Sequence, residues 1–226
     1  MLDLLCKNCY YTPVMPQTLH QIFGSKPVST SLLSRDLADF QSPRAHLAVL
    51  VRRGELTHLR RGLYLCRETE NNISEAQIAN ALVSPSYISY ETALSWLGII
   101  PEHVHTIKSA CPGRSRSFEN STGRYTYTQL PLEYFQLGQS VGYTSDGVAY
   151  CMASAEKALC DLVLSTPRLR LQSPRAAHIY LEEFLRADAD ALSSLNPNLF
   201  HTLALAAHKK QNDLLHLETT LRHDYL

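Results

Sequence analysis

Residues Ser42 to Cys66, SPRAHLAVLVRRGELTHLRRGLYLC, constrain the fold more than any other stretch of the chain. Ser42 suits the position before a helix, and Pro43 suits its first turn. Leu47, Leu50 and Val51 recur at i, i+3 and i+4, which buries one face. Gly54 ends the helix. Leu56, Leu59, Leu63 and Leu65 then flank the tight turn Arg60-Arg61-Gly62, the pattern of a β-hairpin with a basic tip. A helix followed by a basic hairpin is the order of recognition helix and wing in a winged helix-turn-helix.

The exposed side of that helix carries Ala45, His46, Val49, Arg52 and Arg53, at about 100° per residue. Arginine grips guanine bidentately, and a small apolar side chain meets a thymine methyl. Residues 41 to 67 hold six arginines (Arg44, Arg52, Arg53, Arg60, Arg61 and Arg67) against Glu55, a net charge of plus five, while the whole chain is neutral. Positive charge gathered on one helix and one hairpin tip is a footprint for phosphate. The same charges also describe a solvated face with no partner. The expected DNA contacts are Arg44, His46, Arg52 and Arg53 on the helix, with Arg60 and Arg61 on the wing.

Upstream, Leu19, Ile22 and Phe23 before Gly24 predict a short helix, and Ser34 is the expected cap of a second, SRDLADF. Three helices and a hairpin complete an N-terminal winged helix-turn-helix over residues 1–71, closed by the polar linker ETENN. Residues 72–226 read as a mixed α/β domain with a helical tail, so the fold class is α+β. Ser74 caps one helix, and Ser89-YETALSWLGII contains another in which Trp96 is expected in the core. Short strands joined by hairpins are expected over 103–150, and helices over 153–165, 176–187 and 198–222. Lys157 and Asp161, at i and i+4, are expected to pair on an exposed helix. Lys108, Arg114, Arg116 and Arg124, interleaved with Phe118, Tyr125 and Tyr127, read first as the solvated face of an ordinary sheet and second as a secondary nucleic-acid surface.

Composition excludes several classes. At 45% hydrophobic and 19% charged residues the chain buries a core and is not disordered. No apolar run approaches the roughly 18 residues of a membrane helix, and no secretory leader is recognisable, so a cytoplasmic protein is expected. Of the six cysteines only Cys6 and Cys9 form a CxxC pair, with no second pair to complete a zinc site, so no metal is expected. His201, His208 and His216 are read as surface or interface residues. Walker, GxSxG, HExxH and GxGxxG motifs are missing, so no catalytic residue or cofactor is assigned and an enzyme is not expected. Spatial constellations need no such motif, which leaves the C-terminal half open on this point.

The stretches SRDLAD, LVRRGELTHLRRGLYL, IANALVSPSYISYETALSWLGIIPE and EKALCDLVL, in that order over Ser34 to Leu164, resemble the AbiEi family of antitoxins from type IV toxin–antitoxin systems. The resemblance implies a winged helix that binds inverted repeats in the promoter of its own operon and represses it, alone or as a homodimer on the DNA. It implies a C-terminal domain with antitoxin activity. It also implies a functional partner, a nucleotidyltransferase-like toxin, with no direct complex required. Two other readings stay open. One is a stand-alone winged-helix regulator with a ligand- or partner-sensing C-terminal domain. The other is a C-terminal domain with RNA-directed or enzymatic toxin-reversing activity.

Overall fold

The computed structural model describes residues 26–36, 42–67 and 73–225. The helix expected before Gly24 lies outside the described residues. The fold is mixed α+β, with a three-stranded and a six-stranded sheet.

The small sheet opens with β1, Val28–Ser29, followed by helices α1, Thr30–Asp36, and α2, Pro43–Arg53. Strands β2, Leu56–Arg60, and β3, Leu63–Cys66, form the expected hairpin, and the antiparallel order is β1-β3-β2. Two expected caps are corrected. α1 begins at Thr30, ahead of Ser34, because the Ser29 hydroxyl accepts the Leu32 N–H at 3.4 Å and takes the capping position. The Ser42 hydroxyl makes no capping bond to α2. The other end of α2 follows the sequence: Gly54, at φ +72°, lets the N–H groups of Gly54 and Glu55 close on the carbonyls of Val51 and Leu50. Val28, Leu33, Leu47, Leu50, Leu56 and Cys66 fill the small core.

The large sheet follows α3, Glu75–Leu82, whose Ser74 and Gln77 form a reciprocal capping box. Its parts are β4, Tyr87–Ile88; α4, Tyr90–Trp96; β5, Thr106–Cys111; β6, Arg116–Asn120; β7, Gly123–Gln129; α5, Leu132–Phe135; β8, Gln139–Tyr143; and β9, Ala149–Ala153. The strand order is β6-β7-β5-β4-β9-β8. β5 runs parallel to β7 and β4 parallel to β9, so hairpins alone do not build this sheet. It also reaches outside the expected span 103–150, back to Tyr87 and on to Ala153.

Helix α6, Ala155–Ser165, is capped by Ser154 and packs on α4. α7, Pro174–Ile179, continues into a π-helical turn over Tyr180–Phe184 and is followed by α8, Ala189–Ser193. The single helix expected over 198–222 is two: α9, Pro197–Ala206, and α10, Gln211–Thr220, the latter extended by a π-helical turn over Leu221–Tyr225. The break has a partner. Lys210, at φ +54°, donates from Nζ to the carbonyls of Val163 and Thr166, both at 2.7 Å, and so satisfies the end of α6.

The large core draws on both sheets. Leu59, Leu63 and Leu65 of the hairpin join Leu82, Tyr87, Leu94, Leu159 and Phe200 in one cluster. Polar ties fix the same junction: Asn120 Nδ2 donates to the Leu59 carbonyl at 3.0 Å, and Arg60 Nε donates to the Leu82 carbonyl at 2.8 Å. No described helix is long and apolar enough to cross a membrane. Cys111, Cys151 and Cys160 are free thiols, Cys66 is buried in the small core, and Cys6 and Cys9 lie outside the described residues.

Candidate nucleic-acid interface

Arg52 and Arg53 are exposed in the last turn of α2, and His46 and Val49 are half-buried on the same helix. Arg44 stands in the first turn, and its side chain lies outside the described part of the structure. Arg53 approaches Glu55 only to 4.0 Å, with both side chains about half exposed. An ion pair of that kind contributes almost nothing.

Arg52 and the hairpin share a surface. Arg52, His58, Arg61 and Tyr64 line one hollow of about 700 Å³ beside the buried edge of Leu47. A second hollow, about 710 Å³, lies on the other side of the hairpin tip. It is lined by Arg60 and Arg61, by Pro85 and Pro112, and by Arg116 and Phe118 of β6. Arg61 belongs to both, so the arginines of α2, the tip and the outer strand of the large sheet form one row.

The row sorts the expected contacts. Arg61, Arg114 and Arg116 are exposed, and Arg116 Nε donates to the Arg114 backbone carbonyl at 3.2 Å, which steadies the turn before β6. Arg60 turns inward: besides its bond to Leu82 it donates from Nη1 to the Arg61 carbonyl at 3.1 Å. Its guanidinium therefore stiffens the tip as well as charging it. Lys108 and Arg124 stand apart from the row. Lys108 Nζ is 2.7 Å from Glu91 Oε1, and Arg124 Nη2 is 3.0 Å from Glu119 Oε1 across the β6–β7 hairpin.

Three other residues differ from expectation. Trp96 is 40% exposed at the end of α4 and is not in the core. Lys157 and Asp161 do pair, with Nζ 3.1 Å from Oδ1, but both side chains are 0% exposed. Tyr87 and Ser89 donate their hydroxyls to Asp161 Oδ2 at 3.0 and 2.7 Å, and Lys157 Nζ donates to the Tyr134 carbonyl at 2.9 Å. The ammonium also stands 3.1 Å from the centroid of the Tyr134 ring. Burial pushes the Asp161 carboxyl up against the opposing pull of Lys157, and pushes the Lys157 ammonium down against the pull of Asp161. The same burial raises the Tyr87 and Tyr134 hydroxyls far above the ordinary tyrosine value. The network is sealed from solvent and locks β4 and the start of α4 to α6.

No protein-family model matches the chain, and no curated protein matches it.

Proposed function

We propose that this protein is a DNA-binding transcriptional autorepressor whose C-terminal part serves as the antitoxin of a type IV toxin–antitoxin system. In this reading residues up to about 71 are a winged helix-turn-helix: α1 and α2 are its helix pair, α2 enters the major groove, and the β2–β3 hairpin is the wing. The observation that carries it is the row of arginines in which Arg52 of α2 and Arg61 of the hairpin tip share one hollow. A helix and a wing set side by side, with guanidinium groups between them, fit a groove and its flanking phosphates. Arg116 extends the row onto the large sheet, where it meets the backbone of DNA running past the wing. Arg52 reads a base; Arg61 and Arg116 hold phosphate. The order of sequence stretches that resembles the AbiEi antitoxins supports the toxin–antitoxin part, with a nucleotidyltransferase-like toxin as functional partner.

A reporter driven by the region upstream of this chain's own gene tests the reading. Expression of the protein silences the reporter, and Arg52→Ala releases it. Co-expression with a neighbouring nucleotidyltransferase-like gene tests the second half, since residues 72–226 in the full chain protect the cells even when Arg52→Ala abolishes repression. A reporter indifferent to the protein contradicts the repressor, and unprotected cells contradict the antitoxin.

A stand-alone regulator is the second reading, favoured by a cavity of about 300 Å³ lined by Thr128, Tyr134, Leu164, Ser165 and His208 at the seam between β7, α5, α6 and the α9–α10 connection. Cavities of that size and mixed lining take small molecules. A reporter that responds to the protein with no toxin gene beside it supports this version.

A further inference from the structure

The large sheet has two ends, and only one of them is basic. The arginine row lies at the β6 edge. β8 is the outermost strand at the other end, five strand spacings away, or roughly 24 Å. There a hollow of about 390 Å³ is walled by Trp96, Tyr143 and Tyr150, with Glu75 and Asp146 among its lining residues. No lysine or arginine lines it.

Three elements bring the rings together. Trp96 ends α4, Tyr143 ends β8, and Tyr150 stands on β9 opposite Gly142 of β8. The Trp96 and Tyr150 rings meet at 86° with their centroids 6.1 Å apart, so they form two walls at right angles. Gly142 permits this: a Cβ there lies 2.4 Å from Tyr150 Cζ, so any larger residue displaces the ring. Tyr143 is 69% and Trp96 40% exposed, a large apolar surface left in water beside two carboxylates. Asp146 sits in the β8–β9 turn, where the Thr144 hydroxyl donates to its Oδ1 and the Gly147 N–H closes on the Thr144 carbonyl at 2.9 Å.

Perpendicular aromatic walls with carboxylates at the rim suit a cation, which gains from the ring faces and from the negative charge together. A phosphate-bearing ligand meets the same carboxylates as repulsion. Among the described residues β8 pairs only with β9, so its outer edge is open to an added strand. We infer that this end of the sheet docks an extended basic segment of a partner protein, which pairs along β8 and places an arginine or lysine side chain between Trp96, Tyr143 and Asp146. The site goes beyond the proposed repressor function and does not depend on it.

Trp96 is the only tryptophan of the chain, so its fluorescence reports this hollow directly. The test titrates the full-length protein with a hexa-arginine peptide, with hexaglutamate, with tetramethylammonium chloride and with the oligonucleotide hexathymidylate. Hexa-arginine gives a saturable change in Trp96 emission, and the other three probes give none at the same concentration. Asp146→Asn and Tyr143→Ala, both at exposed positions, each weaken the hexa-arginine response about tenfold. A flat titration with hexa-arginine overturns the inference, as does a response that both variants leave intact. An equal response to tetramethylammonium assigns the hollow to a small cation, and an equal response to hexathymidylate assigns it to nucleic acid. Either result removes the partner protein.

Discussion

Arg60 donates its Nε proton to the backbone carbonyl of Leu82 at 2.8 Å, which ties the tip of the small-sheet hairpin to the end of α3. This bond gives Arg60 a different role from its neighbour Arg61, although the two are adjacent in the same turn. Arg60→Ala removes a charged donor from a half-buried carbonyl, a loss of about 1–3 kcal/mol. In a chain of this length that lowers Tm by several degrees, roughly 2–4 °C per kcal/mol. Arg61→Ala leaves Tm unchanged, because the Arg61 side chain is exposed. Thermal unfolding of the two variants measures the difference, and equal Tm values contradict it.

The arginine row predicts a second contrast, in DNA binding. Arg61→Ala and Arg116→Ala each lower the slope of log K against log salt by about one and weaken all duplexes alike. Arg52→Ala costs about 1–3 kcal/mol on the preferred sequence and less on others. Lys108→Ala and Arg124→Ala change neither, since those charges are paired with Glu91 and Glu119 away from the row. Anisotropy titrations of the five variants over a salt series check the pattern, and a slope lowered equally by Lys108→Ala and Arg116→Ala contradicts it.

The sealed Lys157–Asp161 pair predicts a pH-dependent penalty. In Lys157→Met, Asp161 loses the attraction that opposes the effect of burial, so its folded pKa rises further above the unfolded carboxylate value. A carboxyl with a raised folded pKa binds more protons in the native state, so stability falls as pH rises through the window above the ordinary carboxylate value. Below that window Asp161 is protonated in both states and the penalty disappears. Urea unfolding finds the variant only slightly weakened in acid and destabilised by about 3–5 kcal/mol at neutral pH and above. A deficit that does not change with pH contradicts this account of the pair.

Lys210 predicts a stability effect without any effect on DNA binding. Its ammonium closes the carbonyls of Val163 and Thr166 at the end of α6. Lys210→Met forfeits about 1–3 kcal/mol in urea unfolding and leaves the salt slope untouched. A changed slope would mean that Lys210 meets phosphate instead.

The local patterns of the sequence were read correctly where local chemistry decides the outcome. Gly54 ends α2, Ser74 caps α3, and the leucines of the hairpin are buried, because each depends on residues within a turn or a strand. Apart from the caps at Ser34 and Ser42, which are local, the misreadings depend on distant residues. The i, i+4 spacing of Lys157 and Asp161 announces a pair, but its burial comes from Tyr87, Ser89 and Tyr134, which arrive from other elements. Trp96 shares the apolar stretch of Ala93 and Leu94 but ends a seven-residue helix, and nothing in that stretch shows that it faces the open end of the sheet. The convergence of Arg61 with Arg116 depends on the strand order β6-β7-β5 and on the docking of Leu59 against Asn120, neither visible in a window of residues. The tight hairpin around Ser121 and Thr122 sets Glu119 opposite Arg124, a pairing the strand pattern alone leaves open.

The central claim is that α2 and the hairpin read DNA. Its most direct measurement is binding of the full-length protein to a duplex from upstream of its own gene and to a scrambled duplex of equal composition, from roughly 50 to 200 mM salt. The account predicts that the native duplex binds at least about a thousandfold more tightly at physiological salt, and that affinity for both duplexes falls steeply as salt rises. Equal affinity for the two duplexes, or binding indifferent to salt, contradicts it.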